Sequence, residues 1–362
     1  MKIVIIGQWT YPDQRPRAQR TWQLGLQFAK EGHDVTIYAL LGGETDYSGV
    51  EEKYGLKIRN LGVSPNGLKD SEGHRRKTLH SSTVKILLNE YNVFPGCDFR
   101  RMVRETLERE AEIDLLISVA CPHAIHWAVA RYIDRTKVKK WVADCGDPFM
   151  LNPFGKKRRY LEKTERRWCE RCDFITVPVE QAIDSYYPEY RDKIRVIPQG
   201  FDLDEVVLPE YTVNSVPTFV FAGRGYSGLR DPANFLRYLS SGKREFHFLV
   251  YTNTPEFFPG ESVPDRMSVR GFIPRSELLY ELAKADFLVN IVNPSTVQSP
   301  SKLIDYALSG RPILDISSAF PAEEQQVFEQ FLDGNYEKAH KVVGLERFDI
   351  RNVARSFLEL AR

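Results

Sequence analysis

Apolar residues recur along this chain at the spacings of strands and helices, and the two kinds of segment alternate from the first residues onward. Lys2–Gly7 encloses a continuous apolar run, which is typical of a strand buried on both faces of a parallel sheet. Thr21–Glu31 has apolar residues at helical spacing and ends at Gly32, and Asp34–Ala39 is the next strand-like run. These segments predict a β-α-β unit with a right-handed parallel crossover.

The alternation continues along most of the chain. Up to residue 198 it predicts strands at 114–120, 140–144, 174–178 and 194–198, and helices at 99–111, 124–133, 156–172 and 181–187. Residues 42–76 are rich in Gly, Pro, Asn and charge, so we expect loops and short strands there. Beyond residue 217 it predicts strands at 218–223, 246–252, 287–291 and 312–315, and helices at 232–240, 276–285, 300–310 and about 350–361.

Two rounds of alternation predict an α/β protein with two doubly wound, Rossmann-like domains. The polar stretch Gly200–Pro217 has no clear period and is the predicted linker. We therefore expect domains at 1–199 and 200–362, with the final helix free to pack back on the first domain. Ligands of such folds bind beyond the carboxyl ends of the strands, so a cleft between the domains is the expected site.

Composition fits this picture and excludes some partners. The chain has 362 residues, 42% hydrophobic and 27% charged, which suits two globular domains. Its net charge of +1 argues against a nucleic-acid-binding protein. Residues 1–200 hold 33 Lys and Arg against 27 Asp and Glu, whereas residues 201–362 hold 17 against 22. A basic first half and an acidic second half suggest different partners for the two domains.

The cysteines and the apolar segments predict a cytoplasmic protein without a bound metal. The first apolar run reads as a core strand, not as a secretory signal, and residues 115–130 are too short and too interrupted to span a membrane. There are five cysteines, and Cys169 and Cys172 form a single C-x-x-C pair. A zinc site would need a second such pair, so reduced thiols are the better interpretation.

Two segments of the second half carry candidate chemistry. In Phe221–Pro232, Arg224 and Arg230 follow a strand end, and Asp231 and Pro232 suit the start of a helix. Two guanidinium groups at such a place can bind phosphate oxygens. The alternative is a loop with two solvent-exposed arginines, and the spacing alone favours neither.

The second segment is Gln298–Leu314, where Ser301 and Lys302 lie in the first turn of a predicted helix and Asp305 lies one turn later. A lysine in the first turn is unfavourable for the helix dipole, which suggests an anion nearby. Asp305 could accept hydrogen bonds from vicinal hydroxyl groups such as those of ribose. The alternative is an amphipathic helix with solvated polar residues.

Motifs in a consistent order over nearly the whole chain resemble those of the retaining glycosyltransferases of family 4, which have the GT-B fold of two facing Rossmann-like domains. The matching segments are Gly32–Ile37, Val196–Asp202, the Arg224/Arg230 pair, Glu281–Asn290 and Ser301–Leu314. The resemblance implies that Arg224 and Arg230 bind the donor diphosphate and that Asp305 binds the nucleotide ribose. Gln298, Ser301 and Lys302 complete the expected donor site, with Gly223 at its edge.

The chain departs from the family pattern in three places. The family commonly has a Glu-x7-Glu pattern, but here Asp305 takes the second position and Val297, beside Gln298, takes the first. The missing carboxylate affects the choice of donor. The loop after the first strand, Gln8–Arg17, has no glycine, and the basic pair is Arg–Arg instead of the commoner Arg–Lys.

The first half offers two further candidates through the same resemblance. Ser118–His126 resembles the loop that carries the active-site histidine of the family, and His123 is the expected catalytic residue because it follows Pro122 at a strand-to-helix turn. His126 is expected to pack inside the helix. Asp147, in a segment that resembles D-x-x-D-P-W, is a candidate cleft residue. Without the resemblance, a single histidine is more often structural.

These observations predict a metal-independent glycosyltransferase that needs no cofactor and moves a sugar from a nucleotide-diphosphate-sugar, UDP- or GDP-linked, to a saccharide or lipid-linked acceptor. The expected context is the synthesis of surface polysaccharides or glycoconjugates. The alternatives are a nucleotide-sugar 2-epimerase of the same fold and a non-catalytic sugar-nucleotide-binding protein. The basic segment at 156–171 is either a solvated helix face or a peripheral contact with anionic lipid on the inner face of the membrane.

Overall fold

The computed structural model describes residues 1–75, 84, 96–152, 159–203, 208–226, 230–292 and 302–362. The chain divides into two compact units, the first formed by Met1–Phe201 with Arg347–Arg362 and the second by Asp202–Glu346. Our sequence interpretation set the domain boundary between residues 199 and 200 and left the final helix free to pack back on the first domain. In the structure the chain returns to the first unit at its end.

The first unit is built on a parallel sheet. Among the described residues its seven strands lie in the order β3-β2-β1-β4-β5-β6-β7. Their bounds are β1 Lys2–Ile6, β2 Asp34–Ala39, β3 Lys57–Asn60, β4 Ile113–Ala120, β5 Val138–Cys145, β6 Phe174–Val177 and β7 Ile194–Val196. The strand order reverses between β1 and β4, which is where ligands bind in doubly wound folds.

The helices of the first unit are α1 Pro16–Lys30, α2 Ser48–Tyr54, α3 Gly96–Arg109, α4 Ala124–Tyr132 and α5 Leu161–Arg171, with 3₁₀ turns at Glu180–Ser185 and Pro188–Lys193. Two predictions need correction. Residues 42–76 contain helix α2 as well as a strand, and the basic helix begins at Leu161 because Arg159 and Tyr160 form a turn; residues 156–158 lie outside the described residues.

The second unit repeats the architecture on a smaller scale. Its described strands form a parallel sheet in the order β10-β9-β8-β11-β12. The strands are β8 Thr218–Ala222, β9 His247–Tyr251, β10 Met267–Arg270, β11 Phe287–Ile291 and β12 Ile313–Ile316, and the helices are α6 Ala233–Ser241, α7 Arg275–Ala283, α8 Lys302–Leu308 and α9 Ala322–Leu332. The sequence pattern missed β10 and α9. Here the order reverses between β8 and β11.

Burial explains why the strands read as continuous apolar runs. The central strands are covered on both faces, so β1 and β11 are buried over almost their whole length. The last helix, α10 Ile350–Leu360, packs its apolar side, which includes Phe357, against α1 in the first unit. Phe201 pairs with Asp349 just before α10 and so anchors its start. Among the described residues, no helix is both long and apolar enough to cross a membrane.

Candidate active site

The end of strand β8 is shaped by two glycines. Gly223 has a φ of +146°, a conformation that residues with a side chain rarely adopt, and its N–H donates to the carbonyl of Tyr251 at 3.0 Å. A Cβ placed on Gly225 would lie 2.6 Å from Phe257. Gly223 therefore lets the chain turn beyond the strand, where a Cβ would lie 3.7 Å from Cδ of Lys302, and Gly225 allows the close approach of Phe257.

A buried tyrosine fastens helix α8 across this edge of the sheet. The hydroxyl of Tyr306 accepts a hydrogen bond from the N–H of Ala222 at 2.7 Å and lies 3.1 Å from the carbonyl oxygen of Val289, to which it can donate. Ala222 and Val289 belong to β8 and β11, the two strands between which the order reverses. Because Lys302 precedes Tyr306 by one turn, it lies on the same side of the helix and reaches the strand end.

Lys302 lies in an environment that disfavours a positive charge. Its Nζ atom is buried and has no hydrogen-bond partner in the described part of the chain. It lies 4.9 Å from the ring centre of Phe221. Burial, followed by repulsion from Arg230, lowers the pKa of Lys302 to about 7, and Asp315 opposes this shift. An anion beside this amine would stabilise its charged form.

The two predicted arginines differ in their surroundings. Arg230 is partly buried, and desolvation lowers its pKa. Its backbone pairs with that of Tyr226 in a short antiparallel bridge, which holds it beside the end of β8. Arg224 is exposed to solvent. The structure thus brings Arg230 and Lys302 within electrostatic reach of each other, with Arg224 on the surface next to Gly223.

Asp305 has a partner that the sequence did not reveal. Arg275, at the start of α7, places its Nε and Nη2 atoms each 2.7 Å from Oδ1 of Asp305. Burial raises the pKa of Asp305, and Arg275 opposes the shift. No motif marked Arg275, because thirty positions separate the two residues and only the packing of α7 against α8 brings them together. Of the other predicted donor residues, Gln298 and Ser301 lie outside the described residues.

A second polar group lies at the ends of β11 and β12. The Asp315 carboxylate accepts a hydrogen bond from Nδ2 of Asn290 at 2.6 Å and is 2.7 Å from Nδ1 of His340. The register of the parallel strands places Asn290 and Asp315 side by side. This carboxylate partly offsets the lowering of the pKa of Lys302.

In the first unit, His123 lies at the predicted strand-to-helix turn but not in an open position. It immediately precedes α4, its side chain is only 5% exposed, and its Nε2–H donates to the carbonyl of Asp147 at 3.0 Å. Its ring packs against those of Phe149 and Trp168, at centroid distances of 5.1 and 6.2 Å. His123 thus stabilises the loop after β5 through this hydrogen bond, and its catalytic role stays a prediction.

The same loop is held a second time by a buried acid. Glu165 of α5 accepts a hydrogen bond from the N–H of Met150 at 3.2 Å. Burial raises the pKa of Glu165 to about 7, with hydrogen bonds from Met150 and Tyr187 acting in the opposite direction. Asp147, the predicted cleft residue, is half-buried and belongs to this doubly anchored loop.

His126 packs in the core, as the sequence indicated. It is fully buried, its Nδ1 lies 2.8 Å from the Ser118 hydroxyl, and its Nε2 lies 3.4 Å from the thiol of Cys145. Trp141 donates to the same hydroxyl at 2.8 Å. Burial lowers the pKa of His126 far below its ordinary value, so the ring is neutral.

Two groups of side chains in the described residues have the composition of metal ligands. His123, His126 and Cys145 bring nitrogen and sulfur atoms within 4.8 Å of one another in the core, and Glu44, Glu72 and His74 form an acidic group at the surface. In the core group, both His126 nitrogens have hydrogen-bonding neighbours and His123 already donates to a carbonyl. Burial also raises the pKa of the Cys145 thiol, which disfavours the thiolate that a metal requires.

An ion network that the sequence analysis missed lies beside the end of β5. Asp144 accepts hydrogen bonds from Arg20, Arg17 and the Thr176 hydroxyl. Arg20 also donates to the backbone carbonyls of Ile197 and Pro198, which follow β7. Arg17 fits closely over Gly146, where a Cβ would lie 2.9 Å from its Cδ atom. Arg17 is the second residue of α1, and its guanidinium lies at this edge of the sheet through its contact with Asp144.

Comparisons with known proteins agree with the architecture. A stretch of 58 residues is 38% identical to thioredoxin-T of Drosophila melanogaster, but it spans 16% of this chain and 34% of that protein, too little to show a shared family. A glycosyltransferase from Rickettsia africae superposes with a TM-score of 0.63 at 10% identity, covering 99% of this chain and 97% of the other.

Two further solved structures share the fold. HepE of Anabaena in complex with UDP and glucose gives a TM-score of 0.60 at 12% identity, with 99% of this chain and 98% of the other covered. The UDP-GlcNAc 2-epimerase of Neisseria meningitidis gives 0.53 at 10%, with 99% of each covered. These likenesses show two Rossmann-like domains of the GT-B type. The model of Glycosyltransferase Family 4 matches residues 18–205, more than half of the chain, and the chain therefore belongs to that family.

Proposed function

We propose that this protein transfers a sugar, with retention and without a metal ion, from a nucleotide-diphosphate-sugar to a saccharide or lipid-linked acceptor. The observation that carries the proposal is the pair of cations at the end of β8, Arg230 and the buried Lys302. Arg230 repels a positive charge on the desolvated Lys302, and a bound diphosphate would attract both groups.

The same groups suit the chemistry of the proposed transfer. Negative charge builds on the nucleoside diphosphate as the bond to the sugar breaks, and cations already in place stabilise that charge without reorganisation. Arg230, Lys302 and Arg224 take this role in the proposal. The acceptor hydroxyl attacks on the face that the diphosphate leaves, so that the configuration at the sugar is retained.

Asp305 and Arg275 bind the nucleoside in this proposal. The carboxylate accepts hydrogen bonds from the ribose hydroxyls, while Arg275 holds it in one orientation through Oδ1. A carboxylate with a fixed orientation loses less entropy when the ligand binds. The proposed donor is a UDP-sugar, with a GDP-sugar as the second choice, since the HepE structures contain UDP, glucose or UDP-glucose.

The first unit is proposed to bind the acceptor. At the end of β5, Arg17 pairs with Asp144, and His123 and Glu165 hold the 146–150 loop by hydrogen bonds.

On α5, Arg166 is neutralised by Glu162 and Glu189, so the described part of the basic segment is less positive than its composition suggests. A peripheral contact with anionic lipid is retained as part of the proposal and is tested by flotation with vesicles that contain phosphatidylserine.

A screen of sugar nucleotides tests the proposal directly. Thermal unfolding is followed with UDP-, GDP-, ADP- and CMP-sugars, and the ligand that raises Tm most is then incubated with the protein alone. Slow release of the nucleoside diphosphate supports a transferase. The epimerase fold neighbour motivates one alternative, which predicts interconversion of two sugar epimers with no release. Binding with neither reaction would indicate a sugar-nucleotide-binding protein without activity.

A further inference from the structure

Lys302, in the second unit, is a lysine whose charged end is shielded from solvent. Its Nζ atom has essentially no contact with solvent and no hydrogen-bond partner among the residues that the structure describes. The atom lies over the face of the Phe221 ring, 4.9 Å from its centre, which is a weak substitute for an anion. An ammonium group in this position loses its hydration and, within the described parts of the chain, has no direct ionic partner.

The charges around Lys302 favour the neutral amine. Arg230 faces it from the segment before α6 and repels a second positive charge. Asp315 faces it from β12 and attracts it, but Asn290 and His340 already engage that carboxylate. On the helix of Lys302 itself, Asp305 is paired with Arg275.

We infer that Lys302 takes up a proton from solvent when the donor diphosphate binds, so that donor binding and proton uptake are coupled. This inference rests on the proposed donor site. The reaction is the conversion of a neutral amine and a solvent proton into an ammonium group that donates hydrogen bonds to the phosphate oxygens. The nucleotide sugar itself gains and loses no proton.

The direction of the pH dependence follows from the charges. In the empty protein the pKa of Lys302 is lowered to about 7, chiefly by burial. A diphosphate next to the amine raises this pKa, so binding is strongest at pH values where the amine is already protonated. Uptake should be about 0.1 proton per ligand at pH 6, about 0.5 at pH 7 and about 0.9 at pH 8, and affinity should fall roughly tenfold from pH 6 to pH 8.

Isothermal titration calorimetry in buffers of different ionisation enthalpy measures the uptake. The ligand is UDP-glucose, or whichever nucleoside-diphosphate sugar the screen selects, because both of its phosphates are esterified on two sides and do not titrate between pH 6 and 8. Lys302→Arg keeps a permanent charge, so it should bind without uptake and with little dependence on pH. His340→Gln removes the imidazole that engages Asp315 and should leave the uptake unchanged.

The outcomes separate the inference from the proposed function. Binding by the wild-type protein without proton uptake overturns the inference and leaves the donor site intact. Uptake that persists in Lys302→Arg, or that disappears in His340→Gln, assigns the proton to another group and also overturns it. If no sugar nucleotide binds at any pH from 6 to 8, both the proposed function and the inference fail.

Discussion

At the scale of single residues, desolvation separates groups that look alike in the sequence. Arg224 and Arg230 are six positions apart and chemically identical, yet one is exposed and the other is partly buried beside Lys302. His123 and His126 are both buried and differ in their partners: His123 donates to a backbone carbonyl of a loop, and His126 lies between a hydroxyl and a thiol. Burial and partners, rather than residue type, determine what each group can do.

The arginine pair gives the first prediction. Replacing either arginine with Ala should lower kcat/KM by about 2–4 kcal/mol in transition-state free energy and weaken nucleotide binding. The larger effect is expected for Arg230, because it is partly desolvated. Arg237→Ala, an exposed change on α6, is the matched control and should leave both quantities unchanged. Wild-type nucleotide affinity in both variants would refute the diphosphate assignment.

The histidine pair gives the second prediction. His123→Ala should reduce turnover by about 10²–10⁴-fold while affinity for the free nucleoside diphosphate changes by less than roughly a factor of three, since that affinity belongs to the second unit. His126→Ala should instead lower the free energy of unfolding by about 2–4 kcal/mol, because it empties a fully buried, hydrogen-bonded position. Steady-state kinetics and urea unfolding of both variants measure these effects.

Because His123 is itself buried, its Ala variant also loses packing. His123→Gln keeps an N–H donor at about the reach of Nε2 for the Asp147 carbonyl and serves as a second variant. A folded His123→Ala protein with near-normal turnover would contradict a role in the reaction. So would a kinetic loss that follows His126 instead.

At the scale of elements, helix α8 shows how packing produces a site from a short segment. The helix has only seven residues and carries its polar groups on the side that faces the sheet edge. The Tyr306 hydroxyl holds it to β8 and β11, and this attachment brings Lys302 to Gly223 and Asp305 to Arg275. The position of α8 therefore sets the geometry of the whole candidate donor site.

Removing one hydroxyl tests this attachment. Tyr306→Phe leaves the buried N–H of Ala222 without its acceptor, so the free energy of unfolding of the second unit should fall by about 1–3 kcal/mol. Nucleotide affinity should fall as well, because Lys302 and Asp305 move with the helix. Urea unfolding and nucleotide titration provide the measurements. Tyr280→Phe, at an exposed position on α7, is the control, and an equal effect there would argue against the attachment.

At the scale of the molecule, the chain builds the same doubly wound sheet twice and then returns to the first unit through α10. The two units have different charge and different polar groups at their sheet ends. Cations are buried at the end of β8, whereas a closed ion network around Asp144 lies beside the end of β5. This division favours a donor site in the second unit and an acceptor site in the first.

The prediction at this scale concerns the whole reaction. If cations of the protein stabilise the leaving diphosphate, saturating EDTA should leave the rate of transfer unchanged. The measurement is product formation with and without chelator, with added Mn²⁺ and Mg²⁺ as the comparison. Loss of activity that Mn²⁺ restores would show that a metal ion performs the task assigned to Arg230 and Lys302.

The sequence by itself determined the class of the fold, the positions of most strands along the chain and the segments where polar groups follow strand ends. Those features depend on local periodicity and on glycine and proline, which can be read without knowledge of distant contacts. The sequence also indicated that His126 would pack inside its helix.

Only the tertiary structure decided which polar groups meet and which of them are desolvated. Arg275 reaches Asp305, Arg17 and Arg20 reach Asp144, and the pKa of Lys302 depends on burial and on Arg230. The strand β10 and the helix α9 were missed because their stability comes from packing against the rest of the second unit. Hydrogen bonds and desolvation act over a few ångströms in space, and separation along the chain carries no direct information about either.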